Sequence, residues 1–256
     1  MEKLELLRSR RSVRTYSTEP VSQDIVNKLK AEVTFINTHE NGLKFQLFFN
    51  DDNPFKGFFK SYGTFVNPRN YLAAIVDTGV PHILEKSGYF AEKFVIKAVE
   101  LGLGTCFVAG TYDVNSINAQ LRAGEKILFV VLFGNTIKKD RLSEKMLVKL
   151  VHRKKMTPED FFEPKSDYEI ALSQFPDLSE GIEAVACAPS SLNKRPTRLF
   201  IRTIDDRKHL CARVDDSNQK NLIDLGIAKF NFNFATDSQC EWGNGAPLTS
   251  ADSDMM

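Results

Sequence analysis

The sequence predicts an α+β fold in which helices cover a sheet, with an α/β sandwich as the neighbouring arrangement of the same elements. Three observations carry this. Stretches with an apolar residue every three to four positions, such as Ile25, Val26, Leu29, Val33 and Ile36, read as amphipathic helices. Short continuous apolar runs, Tyr71–Asp77 and Ile127–Phe133, read as buried strands. At 256 residues, 42% hydrophobic and 26% charged, the chain can form one large domain or two small ones. That composition excludes a disordered, collagen-like or disulfide-scaffold protein.

The elements follow in order. Met1–Ser9 is a short helix with Leu4 and Leu7 on one face, and Arg8–Tyr16 breaks its pattern. After the Glu19-Pro20 turn, Ser22 is placed to cap a helix that runs to about Asn37, because its hydroxyl can accept from the free amides of the first turn. Leu43–Phe49 alternates as a strand does. Asp51–Pro68 is rich in Asn, Asp, Gly, Pro and Phe and reads as a loop. Pro81–Leu101 is the longest helix pattern, with Gly102 as its left-handed stop. Thr105–Ala109 is a strand, Val114–Leu121 a short helix and Glu144–Lys155 a basic, partly helical stretch. Thr157-Pro158 opens a further helix.

From about Ser166 a second series begins. Leu178–Cys187 is a helix, Ala188–Pro196 a turn-rich linker, Arg198–Ile204 and His209–Val214 strands, and Leu222–Phe234 a helix. The small, polar tail from Asn244 is expected to fray. The order helix, strand, later long helix occurs in both series, which suggests an internal duplication.

Charge and cysteine usage narrow the function. Lys plus Arg is 34 and Asp plus Glu 33, a formal charge of +1. There is no global pull towards nucleic acid or an acidic membrane, so any anion site is local. Cys106, Cys187, Cys211 and Cys240 are too far apart for a CxxC zinc or redox site, and the four histidines show no ligand spacing, so no metal site is expected. Free thiols, no signal-like N-terminus and no apolar run near the roughly 20 residues of a membrane helix point to a cytoplasmic protein.

Four arginines within Arg8–Arg14 concentrate charge where the chain has almost none. Their planar forks suit phosphate, and Ser12 adds a hydroxyl donor. A solvated basic turn is the plainer alternative. Ala188–Asn193 (APSSLN) offers small side chains and hydroxyl donors, although a helix-ending turn would look the same. Leu101–Thr105 is not a GxGxxG or P-loop. Ala109-Gly110 ends a strand where a flat ring could lie against the backbone. His152–Lys155 is a second basic run. The 20 Phe residues are mostly core by burial preference, and one or two from Asp51–Pro68 are candidates for a lid.

In combination these segments resemble the FMN-dependent nitroreductase family. Arg8–Tyr16 (RSRRSVRTY) resembles its N-terminal signature. Gly88–Gly110 is similar to its helix and strand beside the flavin, His152–Phe162 to its C-terminal basic segment, and Ala188–Pro196 (APSSLNKRP) to its APSxxNxQP motif. In ordinary members that last motif lies in the first half, where this chain has Thr38–Lys44. Its late position resembles the thermophile-type branch, in which two half-domains are fused.

The resemblance implies a nitroreductase-like α+β fold with helices around a central mixed sheet. It implies a single-chain pseudo-dimer, with residues 1–163 as the first half and 164–256 as the second. It assigns Arg10, Arg11, Ser12 and Arg14 to the phosphate and ribityl side of FMN, with Arg153 and Lys155 as a second phosphate clamp. Val108, Ala109 and Gly110 would face the ring, and Pro189, Ser190, Ser191 and Asn193 would meet it from the second half. Hydride would pass from NAD(P)H through flavin N5 to a nitroaromatic, quinone or similar flat acceptor, with no dedicated catalytic side chain. Lys194 or Arg195 would stabilise negative charge around N1–C2=O. Ala109, Arg195 and Thr197 depart from the residues common at those positions. They keep open an FMN protein of other chemistry, and a basic binding module without cofactor is a more distant alternative. The expected partners are a small-molecule electron acceptor, no nucleic acid and no membrane, in a monomer or a weak homo-oligomer.

Overall fold

The computed structural model describes residues 2–56, 65–137 and 156–250. The expected basic helix Glu144–Lys155, with Arg153 and Lys155, lies outside these residues, as does the middle of Asp51–Pro68. The chain divides into two compact units. One comprises Met1–Arg8, Leu84–Glu92 and Arg153–Met256; the other comprises Ser9–Ile83 and Lys93–His152.

In the second of these, helix α2 (Gln23–His39) packs on strand β1 (Leu43–Phe48). The Ser22 hydroxyl accepts from the Ile25 amide, as its position predicts, and Val26, Leu29, Val33 and Ile36 form the buried stripe. Strands β1, β2 (Tyr71–Asp77), β3 (Gly104–Val108) and β4 (Glu125–Gly134) form a sheet in the order β1-β2-β4-β3, and every ladder is antiparallel. Parallel pairing enters through single bridges, Ser12 with Thr105 and Thr15 with Val66. The two apolar runs of the sequence, β2 and β4, are the central strands, and all but the last residue of β2 are buried. On the edge strand, Asn37 accepts from the Phe45 amide (2.7 Å) and donates to its carbonyl (2.8 Å), so α2 occupies hydrogen-bonding groups that an edge leaves open.

Helix α3 (Ile83–Glu100) gives its first half to one unit and its second half to the other. It ends at Gly102, φ +83°, with the Gly102 amide on Val99 and the Leu103 amide on Ala98. These two bonds make a Schellman stop, for which glycine is the residue without a steric cost. The expected helix Val114–Leu121 is one 3-10 turn, Val114–Ser116. Gln120 is held instead by Gln46, its amide on the Gln46 side chain and its carbonyl accepting from the Gln46 side chain (both 3.0 Å).

The other unit holds helices α1 (Lys3–Ser9), α4 (Asp167–Gln174), α5 (Ser179–Cys187) and α6 (Lys220–Thr236), and the hairpin β5 (Arg198–Ile204) and β6 (Arg207–Arg213). Asp205 and Asp206 form the two-residue turn, φ 46° and 60°. Positive φ at both is the I′ geometry that matches strand twist. Helix α6 is buried from Asp224 to Asn233, so it is the centre of its unit and not an amphipathic cover. It meets its neighbours through glycines. A Cβ on Gly181 of α5 would lie 2.7 Å from the Phe232 ring. One on Gly88 of α3 would lie 2.0 Å from the Ile223 carbonyl oxygen, and one on Gly226 would lie 1.9 Å from that of Glu85.

Burial in α6 includes polar groups, and each is tied down. Lys229, fully buried, donates to Glu85 and to the carbonyls of Glu241 (2.9 Å) and Gly243 (3.0 Å). Asn233 donates to the Leu248 carbonyl and the Ser238 hydroxyl. The expected fraying from Asn244 is not seen through Ser250. Asn244 bonds the amide and carbonyl of Val214, Leu248 is fully buried and its amide bonds Leu210. This small, polar segment closes on β6 through main-chain bonds, which composition does not reveal. Among the described residues no helix is long and apolar enough to cross a membrane.

Candidate functional site

The arginine segment is built into the edge of the four-stranded sheet. Ser12 bridges Thr105 of β3, and the Val13 amide bonds the Thr105 carbonyl at 2.8 Å. Two residues on, the Arg14 carbonyl accepts from the Val66 amide at 2.9 Å. The approach to β3 depends on Gly104, because a Cβ there would lie 2.8 Å from a Val13 methyl. Val13 and Tyr16 point into the core with Phe55, Tyr71, Cys106 and Val108. Thr15 is buried as well. Arg10, Ser12 and Arg14 are half-buried, and Arg11 is exposed.

The same strand carries the proposed ring-facing residues. Val108 is buried and pairs with Val130, whereas Ala109 and Gly110, just beyond the strand end, are exposed. A Cβ on Gly110 would meet nothing within 4 Å. Among the described residues nothing packs where a side chain at this position would go. Space beside a bare backbone is what a flat ligand would use. Cys106 is a buried core thiol, and Phe55 likewise packs inward, edge-on to Tyr71. The Tyr71 hydroxyl donates to Asp51 (2.6 Å); burial, then Asp51, pushes its pKa well up.

In the other unit, residues 188–196 form a tight turn after α5. Leu192, Asn193 and Arg195 all have left-handed backbone, φ 51°, 52° and 50°. Such a run is uncommon outside glycine and persists only where surroundings impose it. Three bonds do so. The Arg195 amide donates to the Ser190 hydroxyl (2.8 Å), the Arg195 side chain to Asn193 Oδ1 (3.2 Å), and the Ser191 amide to both carboxylate oxygens of Asp224 (3.2 Å each). Because Asn193 Oδ1 is taken, the amide end of this side chain remains as donor, alongside the hydroxyl of exposed Ser191. Leu192 is 65% exposed. Pro189 and Ser190 are half-buried, and Thr197 is buried.

Sequence reasoning missed Asp224. It lies within an apolar helix pattern, 6% exposed. Burial pushes its carboxyl from the usual 3.8 up to about 7, against the opposing pull of the Ser191 amide and Lys194. The folded state therefore holds a proton that the unfolded chain releases between about pH 4 and 7. The resulting stability is full below pH 4 and is lost as pH rises through 7. Relative to Asp224→Asn, the wild type is expected to lose roughly 2–3 kcal/mol between pH 5 and 8 in denaturant titrations.

A cleft of about 430 Å³ in this unit is lined by Glu163, Pro196, Arg198, Arg213, Val214 and Asp215. Its charged groups already have partners, Arg213 with Glu163 (3.7 Å) and Arg198 with the carbonyls of Arg195 and Thr197. None of the residues assigned by the resemblance lines it.

A family model described as "Putative TM nitroreductase" matches residues 2–236. Among solved structures, a putative nitroreductase of Thermotoga maritima is similar at TM-score 0.56 and 18% identity, covering 92% of this chain and 83% of that one. A nitroreductase family protein of Clostridium novyi covers 55% of this chain and 89% of its own at TM-score 0.44 and 17% identity. A putative nitroreductase of Desulfovibrio desulfuricans in complex with FMN covers 56% and 94% at TM-score 0.39 and 18% identity. No curated protein matches. The Thermotoga likeness is one of fold, and it agrees with the family match, which takes in both units: the chain belongs to the putative TM nitroreductase family.

Proposed function

We propose that this protein is an FMN-dependent oxidoreductase that passes electrons from NAD(P)H to a nitroaromatic, quinone or similar flat acceptor. The observation that carries the reading is the arginine segment fixed beside β3, whose far end offers open backbone at Gly110. The residues assigned to FMN are Arg10, Arg11, Ser12, Arg14, Val108, Ala109, Gly110, Pro189, Ser190, Ser191 and Asn193, together with Arg153 and Lys155. The donor set suits this cofactor. Arginines match a phosphate, and the Ser191 hydroxyl and Asn193 amide match the carbonyl-rich edge of a flavin. Bound FMN would supply the hydride chemistry, which leaves the chain to bind and orient. Lys194 and Arg195 would hold positive charge near the pyrimidine edge.

The internal duplication also gains support. Leu84, Gly88 and Phe94 of α3 fall on Leu222, Gly226 and Phe232 of α6 at one constant offset. Each glycine faces the carbonyl three residues before the other glycine, Ile223 for Gly88 and Glu85 for Gly226. Such reciprocity is the mark of a two-fold interface. Halves at 1–163 and 164–256, working as a monomeric pseudo-dimer, are the proposed organisation.

Titrating the purified protein with FMN tests the reading. One flavin per chain, followed by NAD(P)H oxidation with quinone or nitroaromatic, is the expected result. Binding without turnover would favour the FMN protein of other chemistry, to which Ala109 and Thr197 lean. Absence of binding would return Arg8–Arg14 to a basic surface turn. Gly110→Ala is expected to leave stability within about 0.5 kcal/mol of wild type and to weaken FMN binding, since only the ligand needs that space.

A further inference from the structure

We propose that Asp224, on the central helix α6, is the positioning residue of the 190–195 turn, holding the Ser191 amide so that the Ser191 and Asn193 donors face the cofactor. The proposal rests on the FMN reading above. Its basis is geometric. Left-handed backbone at the exposed Leu192, at Asn193 and again at Arg195, with right-handed Lys194 between them, is unfavourable for a free loop. Two of the side-chain bonds that fix the turn lie within it, between Ser190, Asn193 and Arg195. Two tie it to the body of the unit: Arg198 of β5 donates to the Arg195 carbonyl at its end (2.9 Å), and Asp224 accepts from the Ser191 amide at its start.

A carboxylate is a costly anchor. Burying it unpaired is unfavourable, and the side chain facing it with opposite charge is Lys194, from the turn itself. What the carboxylate adds is a charge-assisted acceptor for one particular amide. That acceptor is stronger when ionised, so the turn is held more firmly on the alkaline side of neutrality. The structure thus assigns to a buried helix residue the task of shaping a loop that itself carries no acid.

The test uses the full-length protein and the variants Asp224→Ala and Asp224→Asn. Hydrogen exchange of the Ser191 amide, taken as a protection factor, is read without ligand. FMN affinity is read by flavin fluorescence at pH 6, 7 and 8. Asp224→Ala is expected to lower Ser191 protection at least ten-fold and to raise the FMN Kd at least five-fold. Asp224→Asn should fall between, and its Kd ratio to wild type should grow from pH 6 to 8, a comparison in which the ionisation of FMN itself cancels. Unchanged protection, or a ratio that stays flat, would overturn the proposal. If Asp224→Ala does not fold, Asp224→Asn decides by the same readouts. Should the wild type bind no FMN, the flavin reading fails on its own. The anchoring role is then decided by the Ser191 amide alone.

Discussion

Gly88→Ala and Gly226→Ala are each expected to destabilise the protein by about 3 kcal/mol or more, the top of the range for overpacking. The added methyl would sit 2.0 Å from the Ile223 carbonyl oxygen in one case and 1.9 Å from that of Glu85 in the other. Neither obstacle is a side chain that could rotate away. Each is main chain inside a helix, so the two helices must separate along their whole contact. That separation also loosens the aromatic group beside it, in which Tyr89 meets Phe230 and Trp242 edge-on at 5.3 and 5.2 Å. Denaturant titration reads the loss, with Gly110→Ala as the control glycine that has free space. Wild-type stability in either crossing variant would refute so close an approach.

Lys229→Met is expected to cost about 3–5 kcal/mol, the range for breaking a buried ion pair from one side. The methionine fills most of the volume. It leaves the Glu85 carboxylate without its cation, and the carbonyls of Glu241 and Gly243 without their donor. The Gly243 amide still donates to Glu85 (2.9 Å), which is too little for a full charge at 2% exposure. Adding Glu85→Gln to Lys229→Met removes the stranded charge, so the double variant should recover part of the loss. A double-mutant cycle by denaturation measures that coupling, and additive losses would show that the two groups do not depend on each other.

Much of the fold was legible because local chemistry and tertiary packing agree. Ser22 caps where a free amide needs an acceptor, Gly102 stops a helix where φ must be positive, and the apolar runs of β2 and β4 become the two central strands. The helix expected from Thr157-Pro158 is a 3-10 turn, Pro158–Phe161, and two further misses share one physical cause, which is a remote partner for a main-chain group. Val114–Leu121 has helical composition, but Gln46 takes the amide and carbonyl of Gln120. The tail after Asn244 looks unstructured until β6 offers it hydrogen bonds.

At the candidate site, the arginines and the APSSLN turn could be read from residue type, since charge and hydroxyls announce themselves. Asp224 could not. It stands in a helix pattern as one polar residue among apolar ones, and its role depends on a turn 33 positions away. Gly104 lies in Leu101–Thr105, which matches no glycine motif. Its importance lies in the absence of an atom, and that has meaning only once Val13 is seen beside it.

The crossing of α3 and α6 has a bearing on descent. In a homodimer, a change at one position appears on both sides of the axis at once. Under the duplication proposed here, Glu85 corresponds to Ile223 and Lys229 to Ala91. A charged pair therefore occupies one side, while the related positions hold an isoleucine and an alanine. Two identical genes could not encode that arrangement. On that proposal, joining the halves in one reading frame would have released each side to drift alone, and the glycines, held by the closeness of the backbones, would be where the symmetry is still visible.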